Sequence, residues 1–338
     1  MAGALKIGVL GCGKIAHEDH VPGLLGSKGV KIAALCDPLP EQMEALSAKF
    51  GLDAAKFTDL AAFLASGLDA VVICTPNRLH PDQTLAALKA GLHVLCEKPM
   101  APTAAAADKM VSAARNAGKI LQINHTLHYW PAFIALAESV RRGDIGRVVH
   151  FRCLRTHDST PDVGWSPGAT WFVQKVWNGG IVLDIGVHMA ELMHWAAGPV
   201  TEIAAMTSRR LAHIDVPDNA AALMRFESGA TGVLELSWTI PCGGGLLEVY
   251  GEKGTLRMGF NDGMTLELIT PGRPGKPVRV RAAKLPPKPP NSQQAFVRAI
   301  LGKAPTPTPG EVGRDAVALC EAVLKSGESG KFVKVRRF

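Results

Sequence analysis

Lys6 to Ala16 reads KIGVLGCGKIA, and this stretch restricts the fold more tightly than any other. Leu5, Ile7, Val9 and Leu10 form a short apolar run with the pattern of a buried strand. The run breaks into Gly11-Cys12-Gly13-Lys14-Ile15-Ala16, and a helical segment follows. Strand, G-x-G-x-x-A turn and helix together open a unit that cradles a dinucleotide. Gly11 permits the tight turn, Gly13 lets the backbone approach a pyrophosphate, and Ala16 lets the helix pack close to the strand. The N–H groups at the start of the helix favour phosphate. Gly11, Gly13, Lys14 and Ile15 are therefore the expected loop contacts.

Val30 to Cys36 reads as the second strand and ends at Asp37, about 20 residues after the turn, the spacing of an acid that binds an adenosine ribose. A carboxylate there accepts the ribose hydroxyls and repels a 2′-phosphate. Leu39 and Pro40 supply no cation for such a phosphate, so NAD is expected over NADP. The competing reading has Asp37 capping the helix that opens near Glu41.

Alternation then continues. Leu39–Phe50 reads as a helix, and Thr58 caps a shorter one over Asp59–Ala65. Asp69–Cys74 is a third strand, ending in Thr75-Pro76-Asn77. His80-Pro81-Asp82 opens a helix that stops at Gly91, and Leu92–Cys96 is a fourth strand delivering Glu97-Lys98-Pro99. Thr103 caps an alanine-rich helix closed by Gly118, and Lys119–Ile123 is another strand. This spacing implies a doubly wound parallel sheet. Residues after the carboxyl ends of its strands line the ligand crevice, which singles out Thr75, Pro76, Asn77 and Lys98. A Lys-Pro turn is commonly just solvated. Here it stands at a strand's carboxyl end, behind Glu97.

At 338 residues the chain suits two domains, divided here as 1–124 and 125–338. Its 47% apolar and 20% charged composition is that of a globular protein. No run approaches a membrane span. The first strand begins almost at the N-terminus, leaving no room for a signal peptide, and the seven cysteines form no C-x-x-C pair; a cytoplasmic protein with reduced thiols is expected. The net charge of +7 is carried largely by Arg273–Lys288 and Lys331–Arg337, which are proline-rich or terminal and nearly free of aromatics. That is a solvated basic surface rather than a nucleic-acid platform.

From Trp130 the pattern changes. Pro131–Arg142 is a helix, and strands fit Val148–Thr156, Ala220–Phe226, Thr231–Ile240, Leu246–Tyr250, Thr255–Met258, Thr265–Ile269 and Val278–Val280. Leu234, Leu236, Trp238 and Ile240 are expected on one face. Helices over Ser292–Leu301 and Gly310–Ser326 close an α+β half with a large, mostly antiparallel open sheet. Asn178–Trp195 reads NGGIVLDIGVHMAELMHW, with Asp184 and His188 spaced i, i+4 on a helix. Spacing alone favours a surface Asp–His pair; the alternative is an acid that orients an imidazole to accept an alcohol proton. His194 has no acid four residues before it and reads as structural. His17/His20 and His125/His128 have ligand-like gaps but no closing set, so no metal is expected.

GCGKIA at 11–16, CDP at 36–38, TPNRLH at 75–80, EKP at 97–99, Trp171-Phe172 and GGIVLDIGVH at 179–188 together resemble the glucose–fructose oxidoreductase and inositol dehydrogenase (Gfo/Idh/MocA) family, most strongly over residues 5 to 200. The resemblance implies a Rossmann domain and an NAD-dependent oxidoreductase of a sugar, cyclitol or related polyol. It makes Lys98, Asp184 and His188 the catalytic set: His188 as base, Lys98 on the hydroxyl oxygen, Asp184 positioning substrate or imidazole. It adds His80 and Glu97 to the cofactor contacts, gives Lys98–Pro99 a cis bond in many members, and implies a homodimer or homotetramer built on the open sheet face. Two departures, His128-Tyr129-Trp130-Pro131 and Asn178 in place of a glycine, fall where substrate is selected. His125, His128, Trp165 and Trp171, the last two in the loop His157–Trp171, are the expected further substrate contacts. Two other functions remain open: glycoside cleavage by transient oxidation, and NAD sensing without catalysis.

Overall fold

The computed structural model describes residues 4–260, 263–273 and 276–338. Met1 to Gly3 of the N-terminal reading, and Pro274-Gly275 of the basic run, lie outside these. The chain forms two compact units, Met1–Thr126 with Pro290–Arg314, and Leu127–Pro289 with Asp315–Phe338. A single cut at 124/125 therefore misassigns 290–314. The physical reason is burial: Phe296 and Val297, on the helix Ser292–Ile300, belong to the core of the first unit.

In the first unit β1 (Leu5–Leu10), β2 (Val30–Cys36), β3 (Ala55–Phe57), β4 (Ala70–Ile73), β5 (His93–Cys96) and β6 (Leu121–Ile123) form a parallel sheet in the order β3-β2-β1-β4-β5-β6. The order reverses between β1 and β4, the switch point at which such sheets take their ligands. Ile7, Val9, Ala70, Val72 and Leu95 are fully buried, as strands covered on both faces require. The helices are α1 (Val21–Leu25), α2 (Pro40–Phe50), α3 (Leu60–Leu64), α4 (His80–Lys89) and α5 (Ala104–Ala117). Thr103 caps α5 by accepting from Ala106 N at 3.2 Å. Asp59, not Thr58, caps α3, its Oδ1 accepting from Ala62 N at 2.8 Å. Edge strand β3 escaped the sequence reading because three residues carry no periodicity.

In the second unit α6 (Pro131–Arg142) and α7 (Val187–Ala197) accompany β7 (Val148–Thr156), β8 (Val200–Ser208), β9 (Asn219–Phe226), β10 (Thr231–Ser237), β11 (Gly245–Gly251), β12 (Thr255–Gly259), β13 (Leu266–Thr270), β14 (Arg279–Ala282) and β15 (Val333–Lys334). The sheet order is β14-β13-β12-β11-β7-β10-β9-β8-β15, with β7 and β10 parallel and the other neighbours antiparallel. Phe151, Leu236, Leu247 and Met258 from the strands share one core with Phe133, Leu136 and Leu192 from the helices. Trp238 is fully buried as expected, but Ile240 is 43% exposed because β10 ends at Ser237. Strand β8 was not foreseen: VTEIAAMTS lacks clean alternation. The helix Gly310–Ser329 runs three residues past its expected end. Among the described residues no helix is long and apolar enough to cross a membrane.

Candidate active site

The glycine loop leaves β1 under tight steric control. Gly11 has φ +88°, and a Cβ there would lie 2.9 Å from the backbone of Cys74 on the neighbouring strand's exit. Both constraints demand glycine. A Cβ at Gly13 would meet nothing within 4 Å, so open space faces the backbone where a pyrophosphate is expected. The helix that follows starts as a π-helical turn, Ala16–His20, before α1. Lys14 is partly exposed, its Nζ 3.5 Å from Glu18 Oε1.

Asp37 departs from the simple capping alternative. Its Oδ2 accepts from Cys12 N at 2.8 Å and its Oδ1 from Leu39 N at 2.9 Å, so the carboxylate ties the glycine loop to the end of β2. Leu39, without a side-chain cap, is the N-cap of α2. A carboxylate offers about four lone-pair sites, so two backbone bonds leave capacity for ribose hydroxyls. Loop, switch point and acid together fit a dinucleotide.

The turn after β4 carries Thr75, Pro76 and Asn77; Thr75 Oγ1 donates to Gln83 Oε1, and Asn77 is buried. The turn after β5 carries Glu97, Lys98 and Pro99, with a cis Lys98–Pro99 bond. Lys98 is half-buried, and its N–H donates to Glu97 Oε2 at 3.1 Å. Fully buried His80 lies between the two turns, its ring nitrogens on the carbonyl oxygens of Thr75 and Pro99. It has no surface for a cofactor, which corrects its expected role as a direct contact.

Glu97 heads a buried network that sequence reading missed. Its Oε1 accepts from His20 Nε2 at 2.8 Å and from Asn124 Nδ2 at 2.6 Å. Asn124 Nδ2 also reaches Asp19 Oδ2 at 3.1 Å, while Gln293 Nε2 donates to Asp19 Oδ2 at 3.0 Å and lies 3.1 Å from His20 Nδ1. Burial alone would raise the Glu97 carboxyl. The hydrogen bond and charge of His20, the Lys98 ammonium and the Asn124 amide outweigh it and bring the pKa down to about 2. Asp19, His20 and Glu97 have donor atoms within 4.8 Å of one another, a spacing open to a cation. Two amide groups instead point N–H donors at those carboxylates, which suits a hydrogen-bond network. No local signal announces it: Gln293 arrives from the far end of the chain, and Gly23 makes room, since a Cβ there would collide with the Gln293 side chain.

In the second unit Asp184 lies in a π-helical turn, Val182–Gly186, and His188 in the first turn of α7. The simple i, i+4 face expected of an α-helix is therefore widened here, and such π turns concentrate at functional sites. Both side chains are half-buried. A Cβ at Gly179 would run into the Phe172 carbonyl, and Gly180 has φ +103°. Asn178 has φ +57°, the left-handed region that asparagine tolerates, so this departure from glycine preserves the backbone. Across the loop, burial and then Arg155 lower the pKa of His157, against the Ser159 carbonyl and the Asp184 charge. Trp165 is 43% exposed, and Trp171 is half-buried and stacked on Phe172. His128 is otherwise employed than expected: its Nε2 pairs with Glu191 Oε1 at 2.7 Å and its ring stacks on Trp195. His125 is 1% exposed. Neither histidine presents a free surface to a substrate.

The parallel sheet, its glycine loop and the acid after β2 define a dinucleotide-binding oxidoreductase unit. A family model for oxidoreductases with an NAD-binding Rossmann fold matches residues 5–125, and the GFO/IDH/MocA C-terminal domain matches residues 133–257. The chain belongs to the Gfo/Idh/MocA oxidoreductases, and its cofactor is NAD. It is 30% identical to the 1,5-anhydro-D-fructose reductase of Ensifer adhaerens over 97% of this chain and 98% of that one. The Myo-inositol 2-dehydrogenase of Thermotoga maritima is 26% identical, over 98% of both chains. The WlbA dehydrogenase of Bordetella pertussis, solved with NADH and UDP-GlcNAcA, superposes with a TM-score of 0.85 at 26% identity, covering 99% of this chain and all of that one.

Proposed function

We propose that the protein is a dehydrogenase moving a hydride between a secondary hydroxyl of a sugar, cyclitol or related polyol and NAD. The observation that carries this reading is the turn at Lys98. A buried, anionic Glu97 holds the lysine's backbone at the carboxyl end of β5, where sheets of this order take their ligands. Full-length likeness to a sugar reductase and an inositol dehydrogenase supports the substrate class. NAD, when bound, supplies the hydride acceptor. Gly11, Gly13, Lys14 and Ile15 would hold its pyrophosphate and Asp37 its adenosine ribose, with NAD favoured over NADP. Thr75, Pro76 and Asn77 would line its nicotinamide side.

The proton chemistry falls to three residues. His188 accepts the hydroxyl proton, Asp184 orients substrate or imidazole, and Lys98 holds the hydroxyl oxygen. Trp165 and Trp171 would contribute apolar wall to the pocket. The same reading takes 1–124 with 290–314 as the cofactor domain, and a cytoplasmic homodimer or homotetramer as the working form.

The test is a screen of NAD⁺ and NADP⁺ against monosaccharides, glycosides, anhydrosugars and inositols, following nicotinamide reduction. Reduction of NAD⁺ with one group is expected. Turnover of a glycoside without net NADH release would replace this reading with transient-oxidation cleavage. NADH binding with no turnover of any kind would favour a sensor.

A further inference from the structure

His80 opens α4 and is fully buried. Its Nδ1 lies 2.8 Å from the Pro99 carbonyl oxygen and its Nε2 2.7 Å from the Thr75 carbonyl oxygen. A carbonyl only accepts, so each contact needs a ring N–H. Neither proline that follows, Pro76 after Thr75 or Pro99 after Lys98, has an N–H of its own with which to link the two turns. The His80 ring on α4 reaches both turns.

We infer that His80 is a positioning residue, clamping the turn that carries Lys98 to the turn that begins at Thr75, through backbone carbonyls rather than by touching cofactor or substrate. The inference rests on the dehydrogenase reading, in which the Thr75 turn serves the cofactor and Lys98 the hydroxyl. Burial, and then the Lys98 charge, lower the proton affinity of His80; the two carbonyls and Glu97 work the other way, and the balance lies below the ordinary histidine value. Holding both turns at once takes both ring N–H groups; a ring that has lost one of them holds one turn.

Two substitutions separate the arms, because the Asn amide nitrogen falls near the position of Nδ1 and the Gln amide nitrogen near that of Nε2. His80→Asn keeps the Pro99 arm, and His80→Gln keeps the Thr75 arm. With the full chain, NADH affinity is read by fluorescence titration, kcat with the best substrate of the screen, and folding by thermal midpoint. His80→Asn should weaken NADH binding about tenfold and hold kcat within about threefold; His80→Gln should do the reverse. His80→Ala should lose both. Equal weakening of NADH binding by Asn and Gln, with the fold intact, overturns the clamp.

Should either variant fail to fold, the ring ¹⁵N resonances of His80 in the unaltered chain decide. A water-protected, hydrogen-bonded ring N–H is expected, and a freely exchanging one overturns the clamp. If the unaltered chain binds NADH but turns over nothing, the dehydrogenase reading fails, and the affinity split alone still decides the clamp.

Discussion

In the first unit His20 Nε2 meets Glu97 Oε1 at 2.8 Å; in the second, His128 Nε2 meets Glu191 Oε1 at 2.7 Å. Both pairs are buried, yet their surroundings differ. Glu97 spends its second oxygen on the Lys98 N–H and shares its first with Asn124. Glu191 Oε2 is buried with no hydrogen-bond partner among the described residues, and the far side of its histidine is an aromatic stack, 3.8 Å between the rings of His128 and Trp195. The first pair is one part of a polar network tied to the turn that carries Lys98. The second is a single hydrogen-bonded contact backed by an aromatic stack. The same two residue types thus hold a strand-end turn in one place and a helix contact in the other.

The largest consequence concerns His20. His20→Leu leaves a buried Glu97 without its main partner and should cost about 3–5 kcal/mol in denaturant unfolding of the full chain. A loss below about 1 kcal/mol would mean that Asn124 and the Lys98 N–H suffice. Removing both members sharpens the contrast. His20→Leu with Glu97→Leu takes the Glu97 acceptor away from the Lys98 N–H and from Asn124 Nδ2, which keeps only Asp19, and should still cost about 2 kcal/mol or more. His128→Phe with Glu191→Leu keeps the stack, removes an idle oxygen, and should fall within about 1 kcal/mol of neutral. Equal losses in the two double variants would erase the distinction.

The pH dependence follows from Glu97. Its folded pKa, about 2, lies below the ordinary value of 4.5. The stability it contributes is therefore fully present above that ordinary value and is lost as pH falls from there toward about 2. Acid titration of unfolding should show this loss in the unaltered chain and a flatter curve in Glu97→Gln. The smallest effect lies at Asn178. Asn178→Gly should change stability by under about 1 kcal/mol, and Asn178→Val should cost about 1–2 kcal/mol for its left-handed backbone.

Much of this was legible from residues close in sequence. Gly11, Gly13 and Asp37 announced the loop and its acid, because the turn chemistry is local and the strands around it are apolar runs. The helix stops at Gly91 and Gly118 were readable for the same reason, each holding positive φ. What escaped reading depends on distant partners. Gln293 completes the Glu97 network from a segment that composition assigned to the other half of the chain. His128 looked like a substrate contact until Glu191 and Trp195 met it in space. His80 was recognisable as part of a motif, but its two carbonyl partners depend on the strand order that brings Thr75 and Pro99 together. The π-helical turn at Asp184 has no sequence period of its own, so an i, i+4 pair was the natural expectation.

The most direct measurement is the rate of NADH formation with the responding sugar or cyclitol, for the unaltered chain, Lys98→Met and His188→Leu, with NADH affinity measured alongside. The account predicts turnover only in the unaltered chain, lowered at least about a hundredfold in each variant, while NADH affinity stays within about threefold. Undiminished turnover in either variant, or failure of the unaltered chain to bind NADH, would contradict it.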